Sequence, residues 1–272
     1  MHGEIKNLIL VASGKGGVGK STVATNVALG LARRGLATGL LDADIYGPSI
    51  PTMLGPAEKP KTDGKRIFPI ERYGIKLISM GYMVDPDVAM VWRGPMLAGA
   101  VQQFVSDVDW GQLDYLIFDL PPGTGDIQLS LAQQVKVTGA MLVTTPQPVA
   151  LADVRRAKAM FDKVRIPTLG VVENMSYFLC PGCRERHEIF AHGGGESMAA
   201  ELDLDFLGRI PLDTAIRMCG DAGKPVVIEA PGSDSGAAFL SLVDGLVRAV
   251  EQARSAEENV NQRKSALRII GT

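Results

Sequence analysis

A chain of 272 residues with 28 Lys and Arg against 30 Asp and Glu has a formal charge of −2, so it carries no basic footprint for nucleic acid. Three cysteines are too few for a disulfide scaffold, and no apolar run approaches the roughly 20 residues that a membrane span needs. No long Ser/Pro/Gly tract, low-complexity run or internal repeat divides the chain, so one domain over 1–272 is expected, with its core at about 7–254 and a tail over 255–272.

The apolar run from Asn7 to Ser13 reads as a buried strand. From Ser21 to Ala32 the apolar residues fall at 23, 24, 27, 28 and 31, a helical spacing. A second strand, Ala37 to Leu41, ends at Asp42-Ala43-Asp44. The polar stretch 55–65 reads as a loop, and short strands follow at 67–70 and 75–80, forming a hairpin through Tyr73-Gly74 with Pro69 confining the first to a sheet edge. A helix over Arg93 to Val105 precedes a strand over Tyr115 to Asp119. Further strands are expected at 140–144, 169–173 and 206–210, and helices at 150–163, 196–201 and 235–253. In the last helix Phe239, Leu240, Val243, Leu246, Val247 and Val250 make one apolar stripe for core packing. This alternation predicts an α/β fold, a mostly parallel twisted sheet with helices on both faces. Ligands of such sheets sit beyond the carboxyl ends of the strands. The first strand starts within ten residues of Met1, which leaves no room for a signal or transit peptide, so the cytoplasm is the expected compartment.

Gly14-Lys15-Gly16-Gly17-Val18-Gly19-Lys20-Ser21-Thr22 fits G-x-x-x-x-G-K-[S/T] between the first strand and the first helix. In that setting the loop amides and the helix N-terminus converge on one anion. Lys20 brings positive charge to the β- and γ-phosphates and Ser21 a hydroxyl for Mg²⁺, so a P-loop nucleoside triphosphatase is expected. Asp119 ends an apolar strand before Leu120-Pro121-Pro122-Gly123-Thr124-Gly125-Asp126, where a strand-tip carboxylate and a glycine loop sense Mg²⁺ and the γ-phosphate. Of Asp42 and Asp44, one could orient the attacking water while the other lies near the Mg²⁺ shell.

Cys180-Pro181-Gly182-Cys183 can turn two thiolates to one metal, yet a tetrahedral zinc or an iron–sulfur cluster wants four ligands. A symmetric dimer would supply four. Three other readings compete: a redox dithiol, a single-chain zinc site completed by His187 and His192, or an inert pair. Cys219 stands alone and is assigned no role.

The phosphate loop resembles the deviant Walker A of the MinD, ParA and nitrogenase iron protein superfamily. Within it, Asp42-Ala43-Asp44-Ile45-Tyr46-Gly47-Pro48-Ser49-Ile50-Pro51 and Asp119 to Asp126 resemble the two switches of the Mrp-type (ApbC) iron–sulfur cluster carrier ATPases. The resemblance runs from about Asn7 to about Val250. It implies that Lys15 reaches the nucleotide of a second subunit, that Lys20 contacts the β- and γ-phosphates, that Ser21 meets Mg²⁺ and that Thr22 lies near the α-phosphate. It further implies Asp44 as the residue positioning water, Asp119 and Asp42 at the Mg²⁺ shell, Asn174 bonding adenine, and Pro211, Leu212 and Asp213 framing the base. Cys180 and Cys183 would bind a [4Fe–4S] cluster bridging a homodimer, with apo iron–sulfur proteins as recipients and no nucleic acid or membrane involved. Members often carry a small domain ahead of the loop, where this chain has six residues before its expected first strand. A MinD- or ParA-like positioning ATPase and an electron-transfer ATPase are the alternatives. The first needs a membrane- or DNA-binding surface that the short 262–270 tail does not offer, and the second uses single cysteines far apart.

Overall fold

The computed structural model describes residues 4–44, 47–56, 58–83, 94–125, 128, 133 and 135–270. Ile45, Tyr46, Arg93 and Asp126 of the expected elements and switches, with the last two residues of the tail, lie outside these.

Strand β1 (Ile5–Ala12) feeds the glycine loop and helix α1 (Lys20–Arg33), and β2 (Thr38–Asp42) leads to the short α2 (Ile50–Leu54). Next come β3 (Lys61–Thr62), β4 (Ile67–Phe68), β5 (Ile70–Arg72), β6 (Ile75–Ser79), α3 (Met80–Met83) and α4 (Gly94–Ser106). The central strands β7 (Leu113–Asp119) and β8 (Gly139–Thr144) precede α5 (Pro148–Lys163) and β9 (Thr168–Glu173). A small hairpin of β10 (Phe178–Leu179) and β11 (Arg186–His187) precedes α6 (Gly194–Glu201) and β12 (Phe206–Arg209). The chain ends in α7 (Thr214–Asp221), α8 (Val226–Glu229) and the long α9 (Asp234–Ile270).

Eight strands make one sheet in the order β12-β9-β8-β1-β7-β2-β6-β5, parallel except for the antiparallel edge pair β5–β6. Of its middle strands, β8 is buried along its whole length and β1 from Asn7 onward, because helices cover both faces. On one face Val23, Val27 and Leu31 of α1 meet Phe239, Val243 and Leu246 of α9. On the other, Val101 and Phe104 of α4, Val154 and Phe161 of α5 and Met198 of α6 close a second core. Each such side chain contributes about 1.5–3 kcal/mol on burial.

Two expectations shift. The run 67–70 is split at Pro69, which has no N–H for a ladder: Ile67–Phe68 pairs with Lys61–Thr62, and Ile70–Arg72 forms the hairpin with β6 through Tyr73-Gly74. The last helix does not stop at Ala253 but runs to Ile270, through the segment read as a tail. Burial ends near Ala253, and Arg254, Ser255 and Ala256 beyond it are exposed. Helix-forming residues without Gly or Pro carry the backbone on. Among the described residues no helix is long and apolar enough to cross a membrane.

Candidate functional site

The parallel strands end along one edge of the sheet, and the sequence-derived site residues gather there. Leaving β1, the loop turns back over Gly17 and Gly19, both at φ of 81°, and enters α1 at Lys20. The glycines are dictated by contact as well as by backbone conformation. A Cβ on Gly14 would meet Asp153 Cβ of α5 at 2.1 Å, and one on Gly19 would meet Asn174 Nδ2 at 2.2 Å. Val18 is a buried core residue, whereas Gly16 and Gly17 are exposed. A cavity of about 230 Å³ lies over the loop, lined by Lys15, Gly16, Gly17, Gly19, Lys20, Ser21 and Thr22, with Asp44, Gly47 and Pro122 opposite.

Behind this cavity three carboxylates and one ammonium share a buried cluster. The parallel register sets Asp42 of β2 beside Asp119 of β7 and beside Ser79 of β6. Lys20 Nζ lies 2.6 Å from Asp119 Oδ1 and 3.3 Å from Ser21 Oγ. Ser79 Oγ donates to Asp42 Oδ2 at 2.7 Å, and the Asp44 N–H donates to Asp42 Oδ1 at 3.0 Å. Burial, with Asp119 next to it, pushes the Asp42 carboxyl up to about 7 despite these hydrogen bonds. Burial also raises Asp119, against the pull of Lys20. The donor set suits Mg²⁺: Asp119 Oδ2 is buried with no hydrogen-bond partner among the described residues, and the Ser21 hydroxyl lies beside Lys20 Nζ. Asp42 stands farther back, its two oxygens taken up by Ser79 and by the backbone of Asp44.

A second, mostly apolar cavity of about 540 Å³ adjoins the first through Gly19, Thr22 and Ser49. Asn174, Pro211, Leu212 and Asp213, the residues expected from the sequence to surround a base, all line it. Asn174 Nδ2 donates to Val18 O at 2.8 Å, which ties the pocket to the phosphate loop. Asp213 is committed to its own helix: it caps α7 through Ala215 N at 2.8 Å and accepts from Ser235 Oγ at 2.5 Å. Met53, Met175, Ile216 and Arg217 complete the walls. The sequence reading missed these four, since nothing in their local pattern separates a pocket wall from core. Lys15 is half-buried, its Nζ 3.5 Å from Gln147 Oε1.

Cys180 and Cys183 sit on the turn between β10 and β11, Cys183 exposed and Cys180 half-buried. The turn is closed by Arg184 N donating to Cys180 O at 2.8 Å and Cys180 N donating to Glu185 O at 2.9 Å. The Cys183 and Gly182 amides and the Cys183 thiol hydrogen-bond the Cys180 sulfur and hold its thiol below the usual range. Amides aimed at sulfur are the support a thiolate ligand needs. Two alternatives fail on geometry. The pair opens a hairpin turn and not a helix, unlike a thioredoxin-type dithiol. Nor do the histidines close a zinc site with it: His187 lies beside Glu185 with its ring tilted 37° to that of Phe178, His192 bonds Glu188, and no group of three or more His, Cys, Asp or Glu among the described residues could hold a metal ion.

A strand–glycine loop–helix unit at the carboxyl edge of a parallel sheet, with adjoining phosphate-sized and base-sized cavities, defines a P-loop nucleotide-binding protein. The chain belongs to the ParA group described as NUBPL iron-transfer P-loop NTPases, whose pattern matches residues 4–247. It is 48% identical over 266 residues to the mitochondrial iron–sulfur protein required for NADH dehydrogenase of Arabidopsis thaliana, spanning 97% of this chain and 85% of that one. It is 49% identical over 257 residues to an iron–sulfur cluster carrier protein of Synechocystis, spanning 92% of this chain and 73% of the relative. Among solved structures, a nucleotide-binding protein of Archaeoglobus fulgidus in complex with ADP matches with a TM-score of 0.74 at 39% identity, over 85% of this chain and 90% of that one.

Proposed function

We propose that this chain is an ATP-hydrolysing carrier that holds a [4Fe–4S] cluster between two copies, on Cys180 and Cys183 of each, and passes it to apo-proteins. The observation that carries the reading is the cysteine hairpin. It brings together two free thiols, Cys183 exposed and Cys180 half-buried and held below the usual range, and leaves half of a four-ligand set to come from a symmetry mate. Iron–sulfur transfer in the family and in the relatives' names supports the same cargo.

On the nucleotide side each group has one task. Asn174 donates one of its two amide hydrogens to Val18 O, and its Oδ1 is left to accept from the amino group of adenine. Met53, Met175, Pro211, Leu212 and Asp213 frame the ring. Lys20 exchanges Asp119 for the β- and γ-phosphates, and Thr22 serves the α-phosphate. Lys15 leaves Gln147 to reach the nucleotide of the second copy. Asp44 orients the attacking water, its own N–H braced by Asp42. Ser21 and Asp119, with Asp42 behind, would hold Mg²⁺, which would supply charge neutralisation on the phosphate oxygens. Hydrolysis then acts as a conformational gate, so turnover is slow.

The test is transfer. Cluster-loaded protein incubated anaerobically with an apo-enzyme that needs a [4Fe–4S] cluster restores that enzyme's activity, and a Cys180→Ser, Cys183→Ser variant does not. Equal restoration by both would remove the carrier assignment.

A further inference from the structure

We propose that Asp234 and Ser235, the first two residues of helix α9, are positioning residues that couple the base cavity to the cysteine hairpin within one chain. The proposal rests on the cluster-carrier reading above and adds how its two sites communicate.

Adjacent residues hold opposite ends of the connection. The Asp234 carboxylate takes both guanidinium nitrogens of Arg184, Nη1 to Oδ2 at 2.7 Å and Nη2 to Oδ1 at 3.0 Å. Arg184 directly follows Cys183, and its amide closes the cysteine turn onto Cys180 O. Ser235, buried, donates through Oγ to Asp213 Oδ2 at 2.5 Å, and Asp213 lines the base cavity and caps α7, which supplies Ile216 and Arg217 to the same cavity. A change in the wall at Asp213 therefore reaches Ser235, then Asp234, then the guanidinium that fixes the hairpin.

Two further observations support this. Arg184 has φ of 63°, a left-handed conformation that glycine adopts without strain and arginine does not. The turn bears that strain while its side chain makes the two-point contact with α9. The pair is solvent-exposed, with side chains 65% and 46% accessible, so it adds little to stability and its effect is orientation. A second strap runs alongside in the backbone: Leu212 N of the cavity donates to Tyr177 O at 2.7 Å, and the Tyr177 ring carries the Arg186 guanidinium of β11 at 4.1 Å. Nucleotide in the cavity would thus be felt by the hairpin at both its ends.

The experiment uses reduced, metal-free protein, ADP with Mg²⁺ as the probe, and the iodoacetamide alkylation rate of Cys180, followed by peptide mass, as the readout of hairpin pose. Saturating ADP is expected to change that rate several-fold in the wild type. In Asp234→Asn, and separately in Ser235→Ala, ADP affinity and unfolding temperature are expected to stay near wild type while the rate loses its response to ADP. Asp234→Glu, which keeps the carboxylate, should recover part of the response. A full response in both Asp234→Asn and Ser235→Ala would overturn the proposal, as would no response in a wild type that binds ADP. Failure of the wild type to bind ADP would instead strike the nucleotide reading, and the coupling with it.

Discussion

Asp42 and Asp119 stand side by side in the sheet with a single ammonium, Lys20, in contact with Asp119, and that imbalance makes the site sensitive to pH. The Asp42 carboxyl is raised from 3.8 to about 7, so the folded state keeps a proton that the unfolded chain gives up. Stability therefore falls as pH rises from about 4 through about 7, by the order of a few kcal/mol at most. Thermal unfolding in EDTA should show a declining midpoint over that window, and Asp42→Asn should flatten the slope; a slope unchanged in the variant would locate the effect elsewhere. The cysteines differ in the same way. Backbone amides hold Cys180 low, while burial, with Glu229 and Asp213 nearby, pushes Cys219 up. Iodoacetamide should label Cys180 at lower pH than Cys219, and the reverse order would contradict the hairpin geometry. The placement of Lys20 and Ser21 where the glycine loop meets α1 was legible in the sequence because strand, loop and helix are contiguous there. Ser79, which braces Asp42, was not, since it reaches the site only through the register of β2 with β6.

At the scale of elements, the glycine loop is fixed as much by what crosses it as by its own conformation. Gly19→Ala would force a Cβ into Asn174 Nδ2 and adopt a left-handed φ, whereas Gly35, at φ of 77°, has nothing within 4 Å of the same added atom. Both substitutions should cost about 1–2 kcal/mol of backbone strain. Only Gly19→Ala should also weaken ADP binding, by about tenfold or more, through the lost Asn174–Val18 contact. Equal ADP affinity in the two variants, measured by titration, would show that the contact does not shape the pocket. The strands and helices of the sheet were readable from apolar periodicity. The cysteine hairpin was readable only as a loop, since β10 and β11 are two residues each and carry no periodic signal. The far end of α9 was misread because helix propensity continues where burial stops.

On the scale of the whole molecule, one sheet edge collects the phosphate loop, the carboxylates of Asp42, Asp44 and Asp119 and the adjoining apolar cavity, and the segment from Asn174 to Cys180 leads from there to the thiols. The phosphate loop and the cysteine pair were both legible in the sequence as short motifs. Their connection through Asp213, Ser235, Asp234 and Arg184 could not be read from it, because these contacts join residues far apart in the chain. On the proposed reading, two thiols per chain make the cargo a property of the pair of chains, which gives the account its most direct test. Reconstituted anaerobically with iron and sulfide, the protein should elute as a dimer with about four irons and four sulfides per dimer, lost in Cys180→Ser, Cys183→Ser. Zinc at one per chain, or the same iron content in that variant, would contradict it.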